Sequence, residues 1–516
     1  MTESENTHVS FDPANQGVAW GRRRLSLNAL AILVANLLPP LTGFFIVAYV
    51  GRRLGAVALG EYNIAYTWYY LLLSVANLGL RNLLIRRLAR PGASLGALVA
   101  RALMLVFVSG TACGLVMWAG GRIAGHSAMT QQAILLLAVT MGLTSAVPVL
   151  HGVFISQERN WIVLLCEGVE SLFRLAVSLV LIWLGYGVVW LIGAFVVSRL
   201  ISLGLCLAFV RRKEPLGGSS SEGGLSLVGL LRQALPFAAI AWLNMAYWRI
   251  GLLTLATIRG EEAVGIFTAA NKLSQNLQLV PESLMLTLFP RLSHGFARDR
   301  GSFERLTELS VRYLLATTLL IVLLLVLTAG PVLRFIYERQ VFQQARPVLY
   351  VLAVALLPYA AFRLLLRLLM AGDQERVLAA WIAAGTALSV VLNGVLVYYG
   401  SAPGLALSTA LTLTGLSGAL AWAAARRGLI SARAFDVRRL ALLALTAVVA
   451  GGTGYLLRGF GWLATAIGST IVYGGFLLLF RVVSPDEMGL LRPSRPGRDD
   501  ERGAEQLPPG GADGEG

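Results

Sequence analysis

Charge is scarce in this chain. Of 516 residues only 14% are charged, against roughly 25% in a typical soluble domain, while 56% are hydrophobic. A water-soluble protein of this size would aggregate with so much apolar surface. Disorder is excluded for the bulk of the chain, because it requires low hydrophobicity. Lysine is almost missing: Lys213 and Lys272 are the only two among 43 basic residues. Cysteine is limited to Cys113, Cys166 and Cys206, each inside an apolar run with no CxxC and no nearby histidine in sequence. They read as small core hydrophobes rather than a disulfide framework or a metal site, so no cofactor is expected. The net charge of +16 invites a nucleic-acid partner. Long uncharged runs exclude it and leave a polytopic membrane protein.

A spanning helix needs about 20 mostly apolar residues. Fourteen windows qualify: Leu25–Val50, Tyr62–Ile85, Leu95–Ala119, Gln132–Ile155, Trp161–Leu184, Val188–Val210, Leu235–Ile258, Val264–Phe289, Val311–Ala329, Val348–Ala371, Val377–Tyr399, Pro403–Ala425, Val437–Leu457 and Gly461–Val483. The predicted fold is an all-α membrane protein of about 14 transmembrane helices. The first run is too long for a signal-peptide core and is expected to stay as span 1. Arginine clusters such as Arg22–Arg24, Arg86, Arg87, Arg211, Arg212, Arg426 and Arg427 fall on one side of the alternation. They outnumber those opposite, such as Arg52, Arg53 and Arg122, so both termini are expected in the cytoplasm, with the chain in the cytoplasmic membrane. The expected organisation is a polar N-terminus (1–21), a first lobe of six spans (22–210), a Gly/Ser-rich linker (211–231), a second lobe of six (232–425), two further spans (437–483) and a disordered tail (484–516).

A weak internal repeat supports the two lobes. LGAVALGEYNIAY (Leu54–Tyr66) and RGEEAVGIFTAAN (Arg259–Asn271) match at an offset of 205 residues: Gly55 with Gly260, Ala58 with Ala263, Gly60 with Gly265, Tyr62 with Phe267 and Ala65 with Ala270. Both copies precede corresponding spans. The repeat is therefore parallel, and substrate is expected between the halves.

Polar groups inside spans are costly and mark cavities or partners. Span 8 carries Asn271, Gln275, Gln278 and Glu282 on one face, with Lys272 beside it. Its repeat partner, span 2, carries Tyr66, Tyr70, Asn77 and Arg81; Tyr70 aligns with Gln275 and Asn77 with Glu282. The two stripes point to one cavity shared by both halves. In span 5, Glu167, Glu170, Arg174 and Ser178 share a face, and Glu170 and Arg174 are spaced to neutralise each other. Arg199 in span 6 and Arg249 in span 7 have no carboxylate on their own helix at contact spacing, so each calls for a partner elsewhere or a bound anion. Arg363 and Arg367 lie toward the end of span 10, where snorkelling to phosphate headgroups accounts for them. Cations exceed carboxylates among these groups, which suits an anionic guest such as pyrophosphate. Pro39, Pro40, Pro148 and Pro358 interrupt spans 1, 4 and 10 and are candidate hinges, and Pro281 is expected to kink span 8.

LGAVALGEYNIAYTWYYLLLSVANLGLRNLLIRRLAR resembles the amino-terminal signature of polysaccharide-biosynthesis flippases, and YWRIGLLTLATIRGEEAVGIFTAANKLSQNLQLVPESLMLTLFPRLS resembles their second-half signature. These flippases belong to the multidrug/oligosaccharidyl-lipid/polysaccharide exporter superfamily. The resemblance covers most of residues 20–480. It implies two six-helix lobes around a central cavity and export of polyprenyl-pyrophosphate-linked oligosaccharide by alternating access. No catalytic residues are implied; membrane lipids and other polysaccharide-assembly membrane proteins are the implied partners. The family commonly has Arg-Ile-Asp in span 7, where this chain has Arg249-Ile250-Gly251. The missing carboxylate leaves Arg249 less neutralised and leaves any coupling ion unassigned. Three rival readings stand beside this one. A lipid II flippase shares the fold. A drug/cation antiporter would need an acidic cavity. A membrane glycosyltransferase or polymerase would need acidic or arginine-rich catalytic loops, and the loops here are short.

Overall fold

The computed structural model describes residues 13–88, 95–213, 227–298, 300–430 and 437–480. Most of the polar N-terminus, the Gly/Ser-rich stretch at 214–226 and the tail from 481 onward lie outside the described residues. Within them the ordered elements are helical: α1 (Pro13–Leu54), α2 (Ala56–Ala76), α3 (Leu80–Leu88), α4 (Leu95–Ile123), α5 (Ala128–Thr144), α6 (Ala146–Ser156), α7 (Asn160–Trp183), α8 (Val188–Lys213), α9 (Leu227–Arg298), α10 (Arg300–Tyr337), α11 (Arg346–Ala371), α12 (Glu375–Arg426), α13 (Val437–Leu456) and α14 (Trp462–Leu479). Among the described residues nine helices are long and apolar enough to cross a membrane, and a bent pair within α9 makes a tenth.

Two of these helices contain more than one crossing. Straight, the 52 residues of α12 would run about 80 Å, more than twice a ~30 Å hydrocarbon core. The chain reverses instead at Ser401, where φ is 51°. A Cβ on Gly404 would lie 1.9 Å from the carbonyl oxygen of Leu396, far closer than the rise of a continuous helix permits. The 72-residue α9 breaks at Gly260, with φ 78° and ψ −175°. Gly55, which separates α1 from α2, has φ 97° and ψ −173°. The two glycines matched by the repeat thus make the same left-handed turn, a conformation that side chains with a Cβ rarely adopt.

Only some of the prolines mark breaks: span 4 breaks beside Pro148, and α9 bends at Pro236. α1 stays helical through Pro39 and Pro40, α11 through Pro358, and α9 through Pro281. Span 2 breaks between α2 and α3, where Leu78 and Gly79 have φ of 48° and 69°. A Cβ on Gly79 would meet the backbone nitrogen of Ala238 at 2.5 Å, so α9 packs backbone-close against that break. Span 4 breaks at Ser145, three residues before Pro148. That proline cannot donate to the Thr144 carbonyl. The Ser145 hydroxyl bonds the carbonyls of Gly142 and Val106, each at 2.9 Å.

The chain forms two compact units: one of residues up to 279 with 328–362 and 375–420, the other of 280–327, 363–374 and 421 onward. In the first, α1 packs on α7, α4 on α5, α7 on α8, α3 on α6, and α2 on α4 and α5. Its buried core includes Leu80, Leu84, Leu150, Phe154, Cys166 and Cys206. In the second, α13 packs on α14, and the Tyr473 hydroxyl donates to the Ala316 carbonyl at 2.8 Å. Glu308 there accepts from Arg312 and Arg439 at 3.1 and 2.7 Å. Many exposed side chains are large and apolar, Val139, Trp183, Val391 and Ile471 among them. That surface is stable against lipid and unstable against water.

Candidate functional site

α2 presents Tyr62, Tyr66 and Tyr70 at successive helical turns. Their rings form a ladder, with centroids 4.6 Å apart for the first pair and 5.9 Å for the second. Phe195 of α8 closes one side, 4.8 Å from the Tyr66 ring. Two cations flank the aromatics: the Arg174 guanidinium lies 5.7 Å from the Phe195 centroid, and that of Arg249 lies 5.4 Å from Tyr70. Tyr70 comes from the first repeat and Arg249 from the second, so the halves meet through a cation on an aromatic face. The charges of Arg249 and Arg174 both act on Lys272. Among the described residues Arg174, Arg249 and Lys272 have no ion pair, and the Arg174 Nε is buried without a hydrogen-bond partner. Three like charges held together in this way call for an anion.

Beside them lies a small open cavity of about 60 Å³, lined by Tyr247, Trp248, Arg249, Asn271, Gln275 and Asn393 among others. Arg249 and the front half of the span 8 stripe therefore share one space, as the spacing predicts. The back half differs: Gln278 is half-buried and outside that lining, and Glu282 forms an ion pair with Arg363. Arg363 thus has a carboxylate partner, where the sequence suggested a snorkelling side chain. Gly251 has a packing reason: a Cβ there would lie 2.6 Å from Leu405 Cδ1 and 3.0 Å from the Asn393 amide nitrogen. The place of the family's carboxylate is filled by Leu405 and Asn393. Spacing within spans drew attention to ionisable groups and overlooked Asn393, Ser389 and Thr409. Asn393 and Ser389 are four residues apart on α12 and hydrogen-bonded at 3.2 Å. An uncharged i,i+4 polar pair in an apolar run was the signal available.

Glu170 pairs differently from its sequence spacing. Its two oxygens accept from Arg199 Nη1 of α8, both at 2.9 Å, and not from Arg174 one turn away. Glu170 is 3% exposed and Arg199 7%. Arg199 therefore already has its counter-ion, and Arg174 is the residue released toward the aromatic ladder. Asn77 donates to the Leu73 carbonyl at 2.8 Å and finishes α2. Arg81 is exposed on α3, within the electrostatic reach of Glu167.

At the end of the first unit where Gly55 and Gly260 turn, the two repeats dock backbone to backbone. A Cβ on Gly60 would lie 1.8 Å from the Glu261 carbonyl oxygen, and one on Gly265 1.9 Å from that of Ala56. Each contact is the image of the other under the 205-residue offset, so the repeat generates its own closure. Ser127, at the start of α5, ties both halves: its backbone N–H donates to Glu261 at 2.8 Å and its hydroxyl to Glu61 at 2.9 Å. Next to it, Trp68 Nε1–H donates to His126 Nε2 at 3.2 Å, which requires that nitrogen to be unprotonated. Burial pushes the His126 imidazole below its ordinary value, against the opposing pull of Glu261. Arg52 pairs with Glu338, and Arg339 donates to the carbonyl of Arg52 at 3.0 Å, strapping the same turn.

Residues 25–296 match a family model described as polysaccharide biosynthesis protein, and residues 253–469 match one described as lipid II flippase MurJ. Among solved structures, the lipid II flippase MurJ in an inward closed conformation aligns with a TM-score of 0.70 at 13% identity, over 88% of this chain and 99% of that one. An inward-facing multidrug resistance MATE family transporter of the MOP superfamily aligns at 0.63 and 16%, over 77% and 94%. A MOP superfamily transporter from Pyrococcus furiosus, with a binding pocket of reverse polarity, aligns at 0.56 and 16%, over 78% and 94%. A search of curated proteins finds no match.

Proposed function

The chain belongs to the polysaccharide biosynthesis protein family, a flippase branch of the MOP exporter superfamily, and from that premise we propose that it carries polyprenyl-pyrophosphate-linked oligosaccharide across the cytoplasmic membrane. The families concerned are transporters, not enzymes, and the protein is a multi-pass membrane protein of the lipid-linked flippase type. The observation that carries the finer reading is the cluster of Arg174, Arg249 and Lys272, three cations that make no ion pair among the described residues, beside a polar cavity. A pyrophosphate supplies the missing charge and accepts several N–H donors at once. Asn271, Gln275, Asn393 and Tyr70 offer the mixed amide and aromatic surface that sugars bind. The polyprenyl chain stays in lipid, where its transfer needs no protein cavity.

The proposed mechanism is alternating access between the two repeat halves, 22–210 and 232–425. In this conformation the Gly60/Gly265 docking closes one end. With both termini in the cytoplasm, that end faces outward. Reporter fusions at residues 1 and 516 test the orientation.

A second reading, transport of lipid II, is favoured by the family match over residues 253–469 and by the TM-score of 0.70. One experiment separates the two. Purified protein in liposomes is given fluorescent lipid-linked oligosaccharide or lipid II, and accessibility in each leaflet is followed. Faster translocation of the oligosaccharide, lost in Arg249→Ala and Lys272→Gln at normal protein levels, supports the proposal. Selective movement of lipid II, with rescue of a strain depleted of its own lipid II flippase, replaces it. Unchanged transport in both variants removes the site assignment.

A further inference from the structure

Two of the three cysteines are not isolated. α7 and α8 run antiparallel with two polar rungs between them. One is the Glu170–Arg199 pair. The other, one turn along α7 and two along α8, is Cys166 facing Cys206, with Sγ atoms 3.5 Å apart. His151 of α6 completes a triangle: one ring nitrogen and the two sulfurs all lie within 4.8 Å of one another, and all three residues are buried. Glu167, next to Cys166, approaches the His151 Nδ1 at 3.4 Å, while the His151 Nε2 is buried without a hydrogen-bond partner. The histidine is 3% exposed, so that unpartnered nitrogen needs an explanation.

We propose that His151, Cys166 and Cys206 form a three-donor binding site for a zinc-class divalent cation that staples α6, α7 and α8 together, with Glu167 at the imidazole Nδ1 orienting the histidine ring. Two thiolates and an imidazole are donors such an ion prefers, and a three-donor set leaves the fourth tetrahedral position to water. A tetrahedral site with metal–sulfur bonds of about 2.3 Å has a sulfur–sulfur edge near ~3.8 Å. The observed 3.5 Å is close to that edge and far from the roughly 2.05 Å of a disulfide. Binding displaces two thiol protons, and the negative charge left on the donors is offset by the ion and by Arg81 and Arg199, whose charges reach the cluster. The ion would hold the helix pair that carries Glu170 and Arg199. The site stands apart from the anion cavity and does not depend on the transport assignment.

The test uses the full-length protein in detergent with reductant, stripped by chelator and titrated with Co²⁺, whose thiolate complexes absorb by charge transfer in the near ultraviolet. The expected result is saturation at one Co²⁺ per chain and displacement by Zn²⁺. Cys166→Ser and Cys206→Ser should each abolish the band, His151→Ala should weaken binding at least about tenfold, and Cys113→Ser should leave it unchanged. No stoichiometric band in the unmodified protein overturns the proposal, whatever the variants do. So does a band that survives both Cys166→Ser and Cys206→Ser. A Cys166–Cys206 disulfide in the protein isolated without reductant, together with no cobalt binding after reduction, would make the pair a cross-link instead.

Discussion

The α7–α8 pair and the two limbs of α9 both carry cations within spans, buried on α7–α8 and half-buried on α9, and they treat them in opposite ways. On α7–α8, Arg199 meets Glu170 in a two-contact pair at 2.9 Å, and both are sealed from solvent. On α9, Arg249 rests on the face of Tyr70, and Lys272 feels only like charges from Arg249 and Arg174. A buried charge with its partner holds helices in register, at a desolvation penalty the partner offsets. A half-buried charge held away from carboxylates is unstable alone and is relieved by a ligand. On the proposed function, buried or half-buried cations serve architecture in the first region and anion recognition in the second.

The largest effect should come from breaking the first region. Glu170→Gln leaves Arg199 charged, buried and alone, and should lower stability by about 3–5 kcal/mol. Adding Arg199→Gln should recover most of that loss, as read from thermal unfolding of the purified protein. If the double variant is no more stable than the single, the pair is not a structural lock. In the second region the signs reverse. Arg249→Ala should leave the unfolding temperature unchanged or raised, while transport of lipid-linked oligosaccharide falls by about 10²-fold, the order expected when a charged hydrogen-bonding group is removed from an anion. Arg249→Lys should keep part of the activity, because the charge remains but the planar fork does not.

A sharper probe of the same contrast is Gly251→Asp. It returns a carboxylate next to Arg249 and should reduce affinity for a pyrophosphate analogue about tenfold. Part of any stability loss would come from contact with Leu405 and Asn393. Unchanged affinity would mean that the anion does not sit at Arg249. The smallest effect concerns His126. Its imidazole is held neutral by burial, so its contribution is fully present above the ordinary histidine value of about 6.5 and is lost as pH falls through the lower folded value. Acid should break the Trp68–His126 hydrogen bond and loosen the Gly60/Gly265 closure. The pH-dependent change in accessibility of a probe at residue 127 should disappear in His126→Gln.

Much of this was legible in order along the chain. Among the described residues the apolar windows fall on helix apart from short breaks, because hydrocarbon leaves the backbone no other way to satisfy its hydrogen bonds within one segment. The repeat was legible through its glycines, and Gly55 and Gly260 do turn alike. Arg249, Asn271 and Gln275 were identified because polar groups in apolar helices are too costly to be incidental, and all three line one cavity. The partners were not legible. Spacing offered Glu170 to Arg174 and left Arg199 unpaired, since i,i+4 logic sees one helix at a time. Prolines offered hinges at Pro39, Pro40, Pro148 and Pro358; the helix breaks beside Pro148, at Ser145, stays intact at the other three, and breaks without a proline at Gly260 and Ser401.

Sequence alone determined that this chain lives in a membrane, is helical, is built on a repeat and carries an excess of cations within its spans. Those properties follow from composition and local periodicity, which act over a few turns. Only tertiary structure decided which cations meet a carboxylate and which do not, which cysteines meet, and that two glycines 205 residues apart each admit the backbone of the other repeat. Charge pairing, metal-donor geometry and close backbone approach depend on distances between helices. No single helix encodes those distances; they are fixed when the helices pack.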